Sequence, residues 1–312
     1  MSTSAKVAGS TTAHEGLPVA VFAPVPDTLS ASATRNTRAI KIIRPPTFSF
    51  ATLLAGLATL IQYCELLYTL SVFRLTVRYK QSLLGWAWAA LQPLALMGIY
   101  TIIFTRVTKV ATGGIPYPIF VLSALLPWTF FSSSVINAVS GLTAYPNLLT
   151  KMYFPREIIP FSYLAAGFAD FCIASAILGC FLFHYRIALT WKIVYALPII
   201  VFLTAFVAAM ALFLSALQVR FRDVGLAMPL LLQVWMFTTP VVYSLQSVPA
   251  RFRTLYLLDP VAGLIESFRS VVVGGTRPDL AALAYSGGIA LACFVLGYMY
   301  FKSCEATMAD II

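Results

Sequence analysis

Residues 77–105 read VRYKQSLLGWAWAALQPLALMGIYTIIFT, and the fold turns on this stretch. Arg78 and Lys80 stand directly before a run, 81–105, that carries no charged side chain and stops at Arg106. A bilayer core takes about 20 apolar residues per spanning helix, so the run is long enough to cross. Trp86 and Trp88 sit near its start, where indole rings anchor at the membrane–water interface. Pro93 follows Gln92 inside the run. Proline has no N–H and clashes with the preceding turn, so a bend is expected there. Gln92 can satisfy a freed carbonyl, and both a packing kink and a path-lining kink remain open.

The rest of the chain repeats this pattern. Of its 312 residues 60% are hydrophobic and 10% charged, with mean hydropathy +0.87. Soluble domains carry about 25% charged residues, so lipid is the solvent for most of this sequence. Long uncharged windows recur, and 158–185 holds a single acid, Asp170. They are continuous rather than alternating, which points to helices and against a barrel. The fold class expected is an all-α polytopic membrane protein with about six transmembrane helices. Their expected positions are 86–106, 117–139, 160–184, 193–217, 225–245 and 281–301.

The net charge of +10 fits basic residues that flank spans and face anionic lipid, and no nucleic-acid partner is expected. Cys64, Cys172, Cys180, Cys293 and Cys304 are scattered without a C-x-x-C pair, so neither a metal site nor a disulfide framework is expected. Residues 1–47 are rich in Ser, Thr, Ala and Pro and read as a disordered tail. Residues 48–73 hold one charge, Glu65, and are open to two readings, a seventh span or a helix along the membrane surface. Arg74, Arg78 and Gln81 fall on one helical stripe, which favours an amphipathic surface helix over 60–80. The cations before residue 81 place the N-terminal side in the cytoplasm, and an even span count returns the C-terminus there. Arg251, Arg253, Arg269 and Arg277 fit that rule less well, so the later topology rests on counting spans.

Two segments between spans stand out. YPNLLTKMYFPREIIP, 145–160, can form a short amphipathic helix opened by Pro146 and stopped by Pro155. Such a helix can dock into a groove of a soluble partner or rest on lipid headgroups. The second is LDPVAGLIESFRSVVVGG, 258–275, where Asp259 is a good N-cap, Pro260 suits the first helical position, and Gly274 and Gly275 end the helix. At about 14 residues, or roughly 21 Å, it is too short to span. With another short helix over 249–258 it reads as a re-entrant or surface hairpin. Glu266 and Arg269 can pair three residues apart.

Catalysis finds little support. The histidines are His14 in the tail and His184 at a membrane edge, and no G-x-x-x-x-G-K-[ST] phosphate loop occurs. Asp170, well inside a span, is a functional candidate or a hydrogen-bond partner for a neighbouring helix.

RLTVRYKQSLLGWAWAALQPL, YPNLLTKMYFPREIIP, VRFRDVGLAMPLLLQVWMFTTPVVY and LDPVAGLIESFR together resemble the ABC type-2 permeases, in the branch that exports O-antigen and capsular polysaccharide. The resemblance spans about 60–305, in the family's order and spacing, and leaves the 1–47 tail aside. It implies a homodimer of permeases paired with two copies of a separate ABC ATPase, which would hold ATP and Mg. No cofactor is then expected in this chain. It implies a transmembrane domain over 85–305, and an interface helix with Arg74 and Arg78. It implies a coupling helix, 145–157, that touches the ATPase through Tyr145, Pro146, Asn147, Lys151, Tyr153, Phe154, Pro155 and Arg156. It implies periplasmic gate helices over 249–274 with Asp259, Pro260, Glu266 and Arg269. The cargo would be a lipid-linked polysaccharide crossing the bacterial inner membrane. Aromatic rings offer amphipathic surface to a sugar chain. Tyr100 and Phe104, Trp128 and Phe131, and Trp235 beside Gln233 and Thr238 are positioned to line its path. The alternatives are a type-2 permease for a drug or small lipid, a secondary carrier without an ATPase, and a membrane-embedded glycan-handling enzyme.

Overall fold

The computed structural model describes residues 56, 58–80, 82–106, 114–144, 154–245, 248–249, 251, 256 and 258–311. Among them every regular element is helical. Helix α1 is Cys64–Tyr79, α2 is Ala87–Arg106, α3 is Tyr117–Gly141 and α4 is Ile158–His184. A 3-10 turn, Trp191–Tyr195, leads into α5, Ala196–Arg220. Then come α6, Asp223–Thr238; α7, Pro260–Val272; and α8, Leu280–Ile311.

Five of these segments are long and apolar enough to cross a membrane: α2, α3, α4, the 3-10 turn with α5, and Leu280–Glu305 of α8. Their apolar character runs all round each helix, as lipid on one side and packed helices on the other require. Helix α3 is the axis of the molecule. Its most apolar window is 78% buried, against 11% for that of α2. Ile119, Leu125, Phe131, Val135 and Val139 on α3 are fully enclosed, and α4, α5 and α7 pack around them.

The expected fifth span differs. It was expected over 225–245, but α6 stops at Thr238. The cause is Pro240. The residue before a proline is pushed out of the helical region, and Thr239 is extended, at φ −75° and ψ 139°. Helix α6 therefore has 16 residues, or about 24 Å.

Within 60–80 the structure adds what each helix face meets. Helix α1 has 16 residues and is not among the candidate spans. Its basic stripe, however, faces the protein: Arg74 is buried against α4, and Arg78 reaches Asp170 on α4. The exposed face carries Tyr68, Val72, Phe73 and Val77 instead. Helix α2 runs through Pro93 as one helix, and Pro93 is its one buried residue.

Candidate functional site

Where α6 breaks, two side chains from α7 hold the loose backbone. Asp259 caps α7, its Oδ1 accepting from the Val261 N–H at 3.0 Å. Its Oδ2 accepts from Trp235 Nε1 at 3.1 Å and from the Thr239 hydroxyl at 2.8 Å. One carboxylate thus ties the start of α7 to the end of α6. Pro260 fits behind the cap because a first-turn residue needs no N–H partner. Helix α7 ends at Val272, and Gly275 beyond it has φ +55°, a conformation suited to glycine.

Arg269 does the complementary work. It is 3% exposed. Its Nη2 donates to the carbonyls of Pro240 and Val241 at 2.8 and 3.1 Å, which the broken helix leaves without helical partners. Its Nη1 meets Glu266 Oε2 at 2.8 Å, the pair expected from the sequence. The guanidinium also stacks 3.9 Å over the Phe120 ring. Burial pulls the Arg269 guanidinium below its usual range, and Glu266 opposes that shift. The Tyr117 hydroxyl donates to the Val242 carbonyl at 2.8 Å, so α3 also helps to hold the break.

The aromatic residues picked from the sequence separate into two places. Trp128, Phe131 and Trp235 join Phe206 in one cluster between α3, α5 and α6, with centroids 5.1–6.5 Å apart. Phe131 and Trp128 are 0% and 4% exposed, which gives them a packing role within the chain. Trp235 is half-buried, and its N–H is held by Asp259. Tyr100 and Phe104 are half-buried on α2, 6.3 Å apart, and Phe104 stacks on Tyr117 at 6.0 Å. Tyr100 Oη lies 4.0 Å from Met236 Sδ, so α2 and α6 approach each other there.

At the opposite end of α3 the chain builds an ionic cluster. Glu157, just before α4, is fully enclosed. Its Oε2 lies 2.5 Å from Lys302 Nζ and accepts from the Tyr298 hydroxyl at 3.1 Å. Lys302 also contacts Glu305 at 2.9 Å. Glu305 in turn accepts from the Arg156 backbone N–H at 3.2 Å, and its carbonyl accepts from Arg156 Nη1 at 2.5 Å. Burial pushes the Glu157 carboxyl above its usual range, and the Lys302 ammonium opposes that. The cluster joins the entry of α4 to the end of α8. Glu157 Oε1 and Arg269 Nε are the enclosed charged-group atoms without a partner among the described residues.

A third contact set fixes α1 on α4. Arg74 Nε donates to the Ser162 hydroxyl at 2.7 Å, and its guanidinium stacks 3.5 Å over Tyr163. Arg78 Nη1 and the Tyr79 hydroxyl reach the two oxygens of Asp170, at 2.5 and 2.9 Å. Asp170 is therefore a fastener between helices, one of the two roles open to it from sequence. Both expected interface-helix residues, Arg74 and Arg78, take part.

Of the expected coupling residues, Tyr145, Pro146, Asn147, Lys151 and Tyr153 lie outside the described residues, as does most of 249–258. Phe154, Pro155 and Arg156 are described, and Arg156 leads into the ionic cluster. Sequence reasoning missed Glu157, Lys302 and Glu305. The available signal was an acid at 157 on the threshold of a span, with Lys302 and Glu305 three apart near the end of the last one. No group of acids, cysteines and histidines among the described residues could hold a metal ion.

A family model described as "ABC-2 type transporter" matches residues 65–273. An O-antigen export system permease protein RfbA from Klebsiella pneumoniae is 30% identical over 250 residues, covering 80% of this chain and 95% of the relative. Its namesake from Myxococcus xanthus is 30% identical over 256 residues, covering 81% and 97%. The polysialic acid transport protein KpsM from Escherichia coli is 22% identical over 253 residues, covering 74% and 90%.

Proposed function

The chain belongs to the ABC-2 type transporter family, and from that premise we propose that it is the permease subunit of an ATP-driven exporter of lipid-linked polysaccharide. The cargo is of O-antigen or capsule type and crosses the bacterial inner membrane. The observation that carries this reading is agreement among relatives aligned over most of the chain. Their names cite two glycans, O-antigen and polysialic acid, so the shared property is transport of a sugar polymer, which the O-antigen names give as export.

In this reading ATP and Mg belong to a separate ABC ATPase, present in two copies, and this chain turns ATPase closure into movement of helices. Contact is made through the coupling segment, 145–157. The Arg156–Glu305 and Glu157–Lys302 contacts support it, because a push on that segment would reach both α4 and α8. Both termini then lie in the cytoplasm, and the α7 end faces the periplasm.

Two permease copies pair across α2 and α6. Helix α2 is the least buried of the five long apolar segments, the shorter apolar α6 buries only Met228, Leu232 and Met236, and both lie against α3. Their outward faces carry Leu91, Ile99 and Ile102, and Leu226, Leu230 and Val234. The path runs between the copies, and Tyr100, Phe104 and Trp235 are the half-buried aromatics placed to flank it. Trp128 and Phe131 support Trp235 from behind.

Deletion of the chain should abolish surface polysaccharide, and re-expression should restore it. Leu149→Pro in the coupling segment should leave the permease in the membrane, keep ATP hydrolysis and stop export. A deletion strain with normal surface polysaccharide that loses efflux of a drug or small lipid would overturn the reading.

A further inference from the structure

We propose that the cavity between α7 and the start of α8 is a binding site for one uncharged sugar unit of the transported chain. The ligand class rests on the export reading above; the cavity does not. It has a volume of about 240 Å³. That is below the roughly 300–1,000 Å³ of pockets that hold drug-sized ligands, so it suits a single ring rather than a length of polymer.

The lining carries the argument. Ser267 on α7 and Ser286 on α8 border the cavity and are 6% and 2% exposed. Neither hydroxyl has a hydrogen-bond partner among the described residues. Both residues line the cavity with hydroxyls that make no hydrogen bond within the described chain, so each has donor and acceptor capacity for a polar group held there. Around them stand further groups with unused capacity. Glu266 offers Oε1, because its Oε2 serves Arg269. Asp279 uses Oδ1 to cap α8, accepting from the Ala281 and Ala282 N–H groups at 3.0 and 3.4 Å, and keeps Oδ2 free. Arg277 has no hydrogen bond or ion pair among the described residues. Acceptors, donors and two hydroxyls that can act as either thus converge from three segments, and a sugar ring presents the matching set.

Charge and shape narrow the ligand. The cavity is lined by Glu266, Asp279 and Arg277, and Glu266 is offset by Arg269 just outside the lining. A phosphate or a carboxylate would meet two acids beside one free arginine. Tyr256 at the edge supplies a ring on which an apolar C–H face can rest. The site adjoins the Glu266–Arg269 pair that holds the α6 break, so occupancy would be felt where the chain leaves the path.

The test uses the full chain in nanodiscs. The probe is the mixture of oligosaccharide fragments released by mild acid from the surface polysaccharide of the producing cell. Binding is read by saturation-transfer NMR and thermal unfolding is run in parallel. Wild type should bind, with inorganic phosphate failing to compete. Ser267→Ala and Ser286→Ala should each weaken binding about tenfold, the order of one lost hydrogen bond. Their thermal midpoints should not fall, because neither hydroxyl serves a bond within the chain. Equal binding by wild type and both variants overturns the site and leaves the export reading standing. So does an absence of binding to wild type while deletion still abolishes surface polysaccharide. A fall in thermal midpoint that tracks the loss of binding would mark the hydroxyls as structural and also overturn it. Normal polysaccharide in the deletion strain would instead sink the export reading itself.

Discussion

Glu157 is fully enclosed and is matched by another side chain, the Lys302 ammonium, while Arg269 is enclosed almost as fully and is matched mainly by backbone carbonyls. The first sits where two long helices end, and it ties one to the other. The second sits beside a helix that has broken, and it replaces the partners that the break removed. Both charges lie in apolar surroundings, where an unpaired charge would be very costly. One end therefore ties two rigid rods together, and the other tolerates irregular backbone because a guanidinium covers it. The difference teaches that a buried charge can serve either rigidity or irregularity, according to what it faces.

The largest effect should come from breaking the first pair. Lys302→Met leaves Glu157 without its cation and should cost about 3–5 kcal/mol in reversible unfolding in detergent. The double variant Glu157→Gln with Lys302→Met should recover most of that loss, because the two groups are expensive mainly when separated. No recovery would mean that Lys302 acts mostly through Glu305, and the contrast would fail. Next, Arg269→Met strands the carbonyls of Pro240 and Val241 and should cost about 2–3 kcal/mol by the same measurement. Asp259→Asn should cost about 1 kcal/mol, because asparagine still caps a helix. It should also shift Trp235 fluorescence, since the indole N–H loses its carboxylate. The smallest effect is expected of Glu266→Gln, below about 1 kcal/mol, because Glu266 is a partly exposed partner. A cost equal to that of Arg269→Met would show that the ion pair, not the carbonyls, holds the break.

Helices were legible from apolar runs because lipid imposes a length and forbids unpaired backbone. The cap at Asp259, the Glu266–Arg269 pair and the early end of α7 were legible because each is local, within a few residues. The stop at Thr238 was also written in the sequence, in Pro240, but a continuous uncharged window hid it. What was not legible is what depends on long separations. Nothing near Arg74 shows that Tyr163 will lie under it, and nothing near Glu157 shows that Lys302, 145 residues on, will neutralise it. The stripe of Arg74 and Arg78 was found, but periodicity gives a face and not what that face meets. The two serine hydroxyls of the cavity looked like any other serines until their missing partners could be seen.

The short α6 has a consequence in the surrounding lipid. At 16 residues it measures about 24 Å, against a hydrocarbon layer of about 30 Å. Leu226, Leu230, Leu231, Val234 and Phe237 face outward along it. Where that face meets lipid, acyl chains must thin to match it, at a fraction of a kcal/mol for each ångström. The penalty disappears when the face is covered by a second copy of the same short helix. If two copies pair across α2 and α6 as proposed, mismatch with the bilayer would push them together even without an attractive contact between them. The pairing should strengthen in thicker membranes and loosen in thinner ones.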